Sequence, residues 1–95
     1  MTKADIVNEI TEETGVEKQV VQNTVEAFMS VIKKSMTKGD NVYLRGFGSF
    51  IIKRRAEKTG RNISKHESII IPAHNIPAFK PSKTFANDVK ESVKA

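Results

Sequence analysis

The sequence predicts an α+β domain, and three observations carry that prediction. Apolar residues recur at helical spacing through the first 39 positions, alternate as on strands between residues 42 and 79, and return to helical spacing after residue 84. The coarse order is therefore helix, helix, three strands, helix. No repeat, linker or low-complexity stretch interrupts it.

The first helix opens at Thr2, with Asp5 three residues on in the arrangement of a capping box, continues through Ala4, Ile6, Val7 and Ile10, and ends at Gly15. A longer helical pattern runs from Val16 to Lys38. Val21, Val25, Phe28, Ile32 and Met36 form its stripe, widened by Val20, Thr24, Ala27 and Val31. Lys33, Lys34 and Lys38 crowd its last turns, where cations suit the helix dipole, and Gly39 stops it. One short helix and one hairpin cannot cover both flanks of so broad a stripe, whereas a second copy of the pair can, which predicts a symmetric dimer.

A strand over Val42-Tyr43-Leu44 turns at Gly46-Phe47-Gly48, where Phe47 is expected to drop into the core. The next strand puts Phe50 and Ile52 on one side and Ile51, Lys53 and Arg55 on the other. Pro72 and Pro77 cannot donate to a ladder, so both belong at sheet edges or strand exits. Pro81 suits the first turn of a final helix carrying Phe85, Val89 and Val93.

Charge decides the class of partner. Residues 53–65 hold six basic residues and one acid, Glu57, and so carry the whole net charge of +5; the other 82 residues hold ten of each sign. A charge run is usually a solvated face. Here it lies on a protruding extended arm, and Thr59-Gly60-Arg61-Asn62 supplies the guanidinium and amide groups that fit a minor groove. The pattern points to a polyanion, with duplex DNA ahead of RNA or an acidic protein. With the arm in solvent only about 70 residues build the core, a second reason to expect a partner chain.

Other chemistries find no footing. The chain has no cysteine, so it has neither disulfides nor a thiolate metal site. His66 and His74 lack a shared carboxylate at ligand spacing. No serine sits in a nucleophile elbow, and Gly46-Phe47-Gly48 lacks the length and the Lys-Ser/Thr of a phosphate loop. The backbone amides of Gly48 and Ser49 remain candidates to approach a phosphate. The start MTKADIVNEI has no long apolar run, so neither a signal peptide nor a membrane span is read there. We expect no enzyme activity, cofactor, metal, membrane or small-molecule substrate, and a cytoplasmic chain.

The strings Leu44-Arg45-Gly46-Phe47-Gly48-Ser49-Phe50, Arg55-Ala56-Glu57-Lys58-Thr59-Gly60-Arg61-Asn62 and Asn75-Ile76-Pro77-Ala78-Phe79, at these spacings, resemble the bacterial histone-like DNA-bending proteins, HU and integration host factor. The resemblance spans essentially the whole chain and leans toward HU. It implies an intertwined dimer with two N-terminal helices, a three-stranded antiparallel sheet bearing a protruding β-ribbon arm, and a short C-terminal helix. In that frame residues 1–39 are a helical dimerisation base, 40–80 a sheet saddle with its arm, and 81–95 the last helix. Phe47, Phe50 and Phe79 look like the family's core aromatics.

Carried over position by position, the resemblance places Lys53, Arg55, Lys58 and Arg61 on DNA along the arm, with Arg61 and Asn62 near its tip. Lys3 and Lys83 would hold phosphates from helix starts, and Arg45, Gly48, Ser49, Lys65 and Lys80 complete the set. The family's wedge proline after Arg-Asn is here Ile63, still an apolar wedge candidate, and its Thr-Gly turn is replaced by Lys65-His66. The expected function is sequence-independent binding and bending of duplex DNA, with nucleoid compaction, by a homodimer or a heterodimer with a paralogue. The alternatives are a host-factor-like, sequence-preferring subunit and a structural protein whose arms grip an acidic non-DNA partner.

Overall fold

The computed structural model describes residues 1–62 and 67–93, and the chain divides into two compact units, Met1–Ser35 and Met36–Ala95. In the first, helix α1 spans Lys3–Thr14 and most of helix α2, Lys18–Thr37, follows it. The expected capping box is present. The Thr2 hydroxyl accepts from the Asp5 N–H at 3.3 Å, and the Asp5 carboxylate accepts from the Thr2 N–H at 2.8 Å. Gly15 closes α1 at φ 72°, its N–H donating to the Thr11 carbonyl. Helix α2 begins two residues later than its apolar pattern, and Val16, just before it, donates its N–H to the Thr14 hydroxyl.

Val7 and Val21 are the buried apolar side chains, and Val25, Ile32 and Met36 are half-buried. The rest of the stripe stays open: Phe28 is 49% exposed and Val31 65%. Exposed apolar surface of that extent on one helix is the mark of an interface.

In the second unit strands β1 (Val42–Leu44), β2 (Gly48–Arg55) and β5 (His74–Pro81) form an antiparallel sheet in the order β1-β2-β5. Strands β3 (Lys58–Asn62) and β4 (Glu67–Ile71) form a two-stranded ribbon. The stretch read as two long strands is thus cut twice, at Ala56-Glu57 and at Pro72-Ala73, where Pro72 has no N–H to give. Pro77 lies within β5, an edge strand, where a missing donor is tolerated.

The β1–β2 turn closes through the Phe47 N–H on the Leu44 carbonyl at 2.9 Å, with Gly46 at φ 82°. Phe47, Phe50, Phe79 and Phe85 form a ring cluster with neighbouring centroids 5.0–6.3 Å apart. The expectation that Phe47 is a core residue needs correction. It stacks on Phe85 yet is 46% exposed, because one chain supplies too few side chains to close over it.

Pro81 also departs from expectation. It ends β5 instead of opening a helix, and Ser82 is the N-cap of helix α3, Lys83–Ser92. The Ser82 hydroxyl accepts from the Phe85 N–H and donates to the Gly46 carbonyl, both at 3.2 Å, while its N–H donates to the Phe47 carbonyl. A residue capping its helix and bonded to the β1–β2 turn cannot also sit inside the first helical turn. Val89 and Val93 of the expected stripe remain exposed, and α3 buries no side chain of its own.

Candidate nucleic-acid interface

Register sorts the sheet into two faces, since residues paired across an antiparallel ladder share a side. The apolar face collects Val42 with Phe50, Leu44 with Gly48, and then Phe79, Pro77 and Pro81 opposite Phe50, Ile52 and Gly48. The other face pairs Tyr43 and Lys80 with Ser49, Ala78 with Ile51, Ile76 with Lys53, and His74 with Arg55. All the cations of the sheet except Arg54 therefore lie on one side. Lys53, Arg55 and Lys80 are exposed there, over half-buried Ile51, Ile76 and Ala78.

In this unit an open cleft of about 480 Å³ is lined by Arg45, Gly48, Ser49, Lys80 and Lys83, among others. Five expected DNA contacts are thereby brought together from β2, β5, the β1–β2 turn and α3. Ser82, which the sequence reading passed over, holds the turn and the helix in that arrangement. A serine just before a helix is the signal that could have found it.

Two expected residues need separate treatment. Gly48 is buried in the central strand, between Leu44 and Pro81. The close packing there leaves no room for a side chain: a Cβ would stand 2.6 Å from the Lys80 carbonyl oxygen and 2.6 Å from the Phe79 ring. Lys3 lies in the first unit, where its ammonium meets the Glu26 carboxylate at 3.0 Å. That exposed pair is weak enough to exchange for a phosphate.

On the ribbon Lys58 faces Ile71 across the ladder, Thr59 faces Ile70, Arg61 faces Ser68 and Asn62 faces Glu67. Lys58 is exposed, and Ile70 is 68% exposed, so the ribbon offers cations and apolar surface together. Ile63 and Lys65, with the neighbouring His66, lie outside the described residues. Arg54 is exposed on the sheet's other face, opposite Asn75, and strand alternation alone could have marked it as a further cation.

Two carboxylates are held below their ordinary range. Asp5 is stabilised as the anion first by the Thr2 backbone N–H and then by the Thr2 hydroxyl, and Glu26 first by the hydrogen bond from Lys3 and then by its charge. Both belong to the helical unit and neither to the basic face.

The family profile described as bacterial DNA-binding protein matches residues 1–90. The chain belongs to that family. A curated member, DNA-binding protein HU of Geobacillus stearothermophilus, is 39% identical over 90 residues, covering 95% of this chain and all of the relative. The HU of Thermus thermophilus is 37% identical over 91 residues, covering 96% of this chain and 94% of the other. Among solved structures the family fold recurs in HU of Anabaena crystallised with DNA, with a TM-score of 0.90 at 34% identity, covering 95% of this chain and 98% of that one. HU of Thermotoga maritima, at 23% identity and TM-score 0.67, shares the fold.

Proposed function

We propose that this chain binds duplex DNA with little sequence preference, bends it and thereby helps compact the bacterial chromosome in the cytoplasm. The observation that carries the reading is the one-sided face of the sheet. Lys53, Arg55, Lys80 and Tyr43 stand exposed on it beside half-buried Ser49, and the chain continues into the ribbon with Lys58 and Arg61. Such a surface neutralises phosphates in a row and reads few base edges.

The working unit is a dimer whose base is made from residues 1–39, with Phe28, Val20 and Val31 covered by the partner chain. Lys3, Arg45, Gly48, Ser49, Lys53, Arg55, Lys58, Arg61, Asn62, Lys65, Lys80 and Lys83 contact DNA, and Ile63 is the wedge that unstacks a base step. No chemical reaction belongs to this reading.

Anisotropy titrations on several unrelated duplexes over a range of salt test it. Similar affinities and a steep loss between low and physiological salt are expected. A preference of roughly a thousandfold for one sequence would establish a site-selecting subunit instead, a ratio in the specific range. Failure to bind any duplex would leave an acidic non-DNA partner. Light scattering should give the mass of two chains, and melting temperature should rise with concentration.

A further inference from the structure

We propose that His74 is a protonation-gated phosphate ligand at the root of the ribbon, which tightens the grip on DNA as pH falls. The inference rests on the DNA-binding reading above. His74 is the first residue of β5, is exposed, and pairs with Arg55 on the cationic face of the sheet.

Its ring is held in one sense. Nδ1 lies 2.9 Å from the Pro72 carbonyl oxygen, which can only accept, so Nδ1 carries a hydrogen in both charge states. Every change on titration then falls on Nε2. In the neutral ring Nε2 is a bare lone pair, which repels a phosphate oxygen. In the imidazolium it is a charged N–H donor, the kind that makes short, strong bonds to phosphate.

The surroundings favour an anion at this point. Strand β2 is the one strand of the sheet that flanks β5, and from it Arg55 faces His74 directly while Lys53 occupies the next position on the same face, opposite Ile76. Neither β2 nor β5 carries an acid; the nearest to His74 along the chain is Glu67, the first residue of β4, and Glu57 lies beyond the end of β2. A phosphate drawn in by Arg55 and Lys53 stabilises the imidazolium beside it, so binding takes up a proton wherever the free ring is neutral.

The test is a titration of a labelled duplex with the full chain at about pH 5.5 and about pH 8, the span over which histidine changes charge, at several salt concentrations. Wild type should bind roughly three- to tenfold tighter at the lower pH. Its salt slope should steepen there by about 0.9 for each histidine engaged, one added phosphate contact. His74→Gln should lose both differences, His74→Lys should bind tightly at both pH values, and His66→Gln should behave as wild type. A wild type indifferent to pH, or a pH response that survives His74→Gln, overturns the role of His74 while leaving DNA binding intact. Absence of duplex binding at both pH values overturns the proposed function, and this inference with it.

Discussion

The sheet and the ribbon are built from the same two long stretches of chain, yet they treat glycine in opposite ways. In the sheet Gly48 is walled in by the Lys80 carbonyl and the Phe79 ring, with a four-phenylalanine cluster alongside. In the ribbon a Cβ on Gly60 would meet Ile69 and Ile71 at 3.5 Å, an ordinary contact, and Ile70 across the ladder is mostly exposed. A region whose backbone approaches a neighbouring strand and ring so closely supplies stability. One that keeps room around its side chains and its cations in water has surface to spend on another molecule.

The sharpest way to break this contrast is to add one methyl group to each region. Gly48→Ala should destabilise the fold by about 3 kcal/mol or more in denaturant unfolding, since a backbone carbonyl cannot step aside as a side-chain tip can. Gly60→Ala should stay within about 1 kcal/mol of wild type, and equal losses would end the distinction.

Charge removal sharpens the contrast from the other side. Arg55→Ala and Arg61→Ala should leave unfolding within about 0.5 kcal/mol of wild type. Both should weaken every duplex alike and reduce the salt slope by about one for each phosphate no longer neutralised. An arginine variant that melts early would mean that the basic strands also hold the fold.

The smallest effect belongs to the helical unit. Asp5 and Glu26 are depressed in the folded chain, so each contributes stability that is present above its unfolded value and lost as pH falls through its folded one. An acid titration followed by helical circular dichroism should show Asp5→Asn less stable than wild type near neutrality and level with it in strong acid. A constant gap across the titration would assign the loss to capping geometry alone.

Legibility in the sequence followed the range of the interaction. The Thr2–Asp5 box, the Gly15 stop and the edge position of Pro77 depend on near neighbours or on proline's missing donor, and all were readable. The close packing around Gly48 was not readable, because its neighbours Phe79 and Lys80 lie some thirty residues away. Pro81 was misplaced for a similar reason: the bonds from Ser82 to Gly46 and Phe47 decide where α3 begins. Phe47 was expected inside because a large aromatic beside a turn usually is, and a single chain leaves it half open. The cations were the easiest to find, since alternation alone puts Lys53 and Arg55 on one side, but their grouping with Tyr43, Lys80 and His74 needed the register.

That register has a further property. Gly48↔Pro81 through Arg55↔His74 and Lys58↔Ile71 through Asn62↔Glu67 keep one count, with two residues left unpaired on each side between the two ladders. The pair of ladders therefore behaves as a ruler graduated in steps of two. Adding one residue to each of β3 and β4 would carry everything beyond it to the opposite face, Arg61 included. Adding two to each would restore the facing and move the tip outward by roughly 7 Å, at about 3.4 Å per residue. Reach along a groove can thus be tuned by chain length alone, provided that insertions come matched and even.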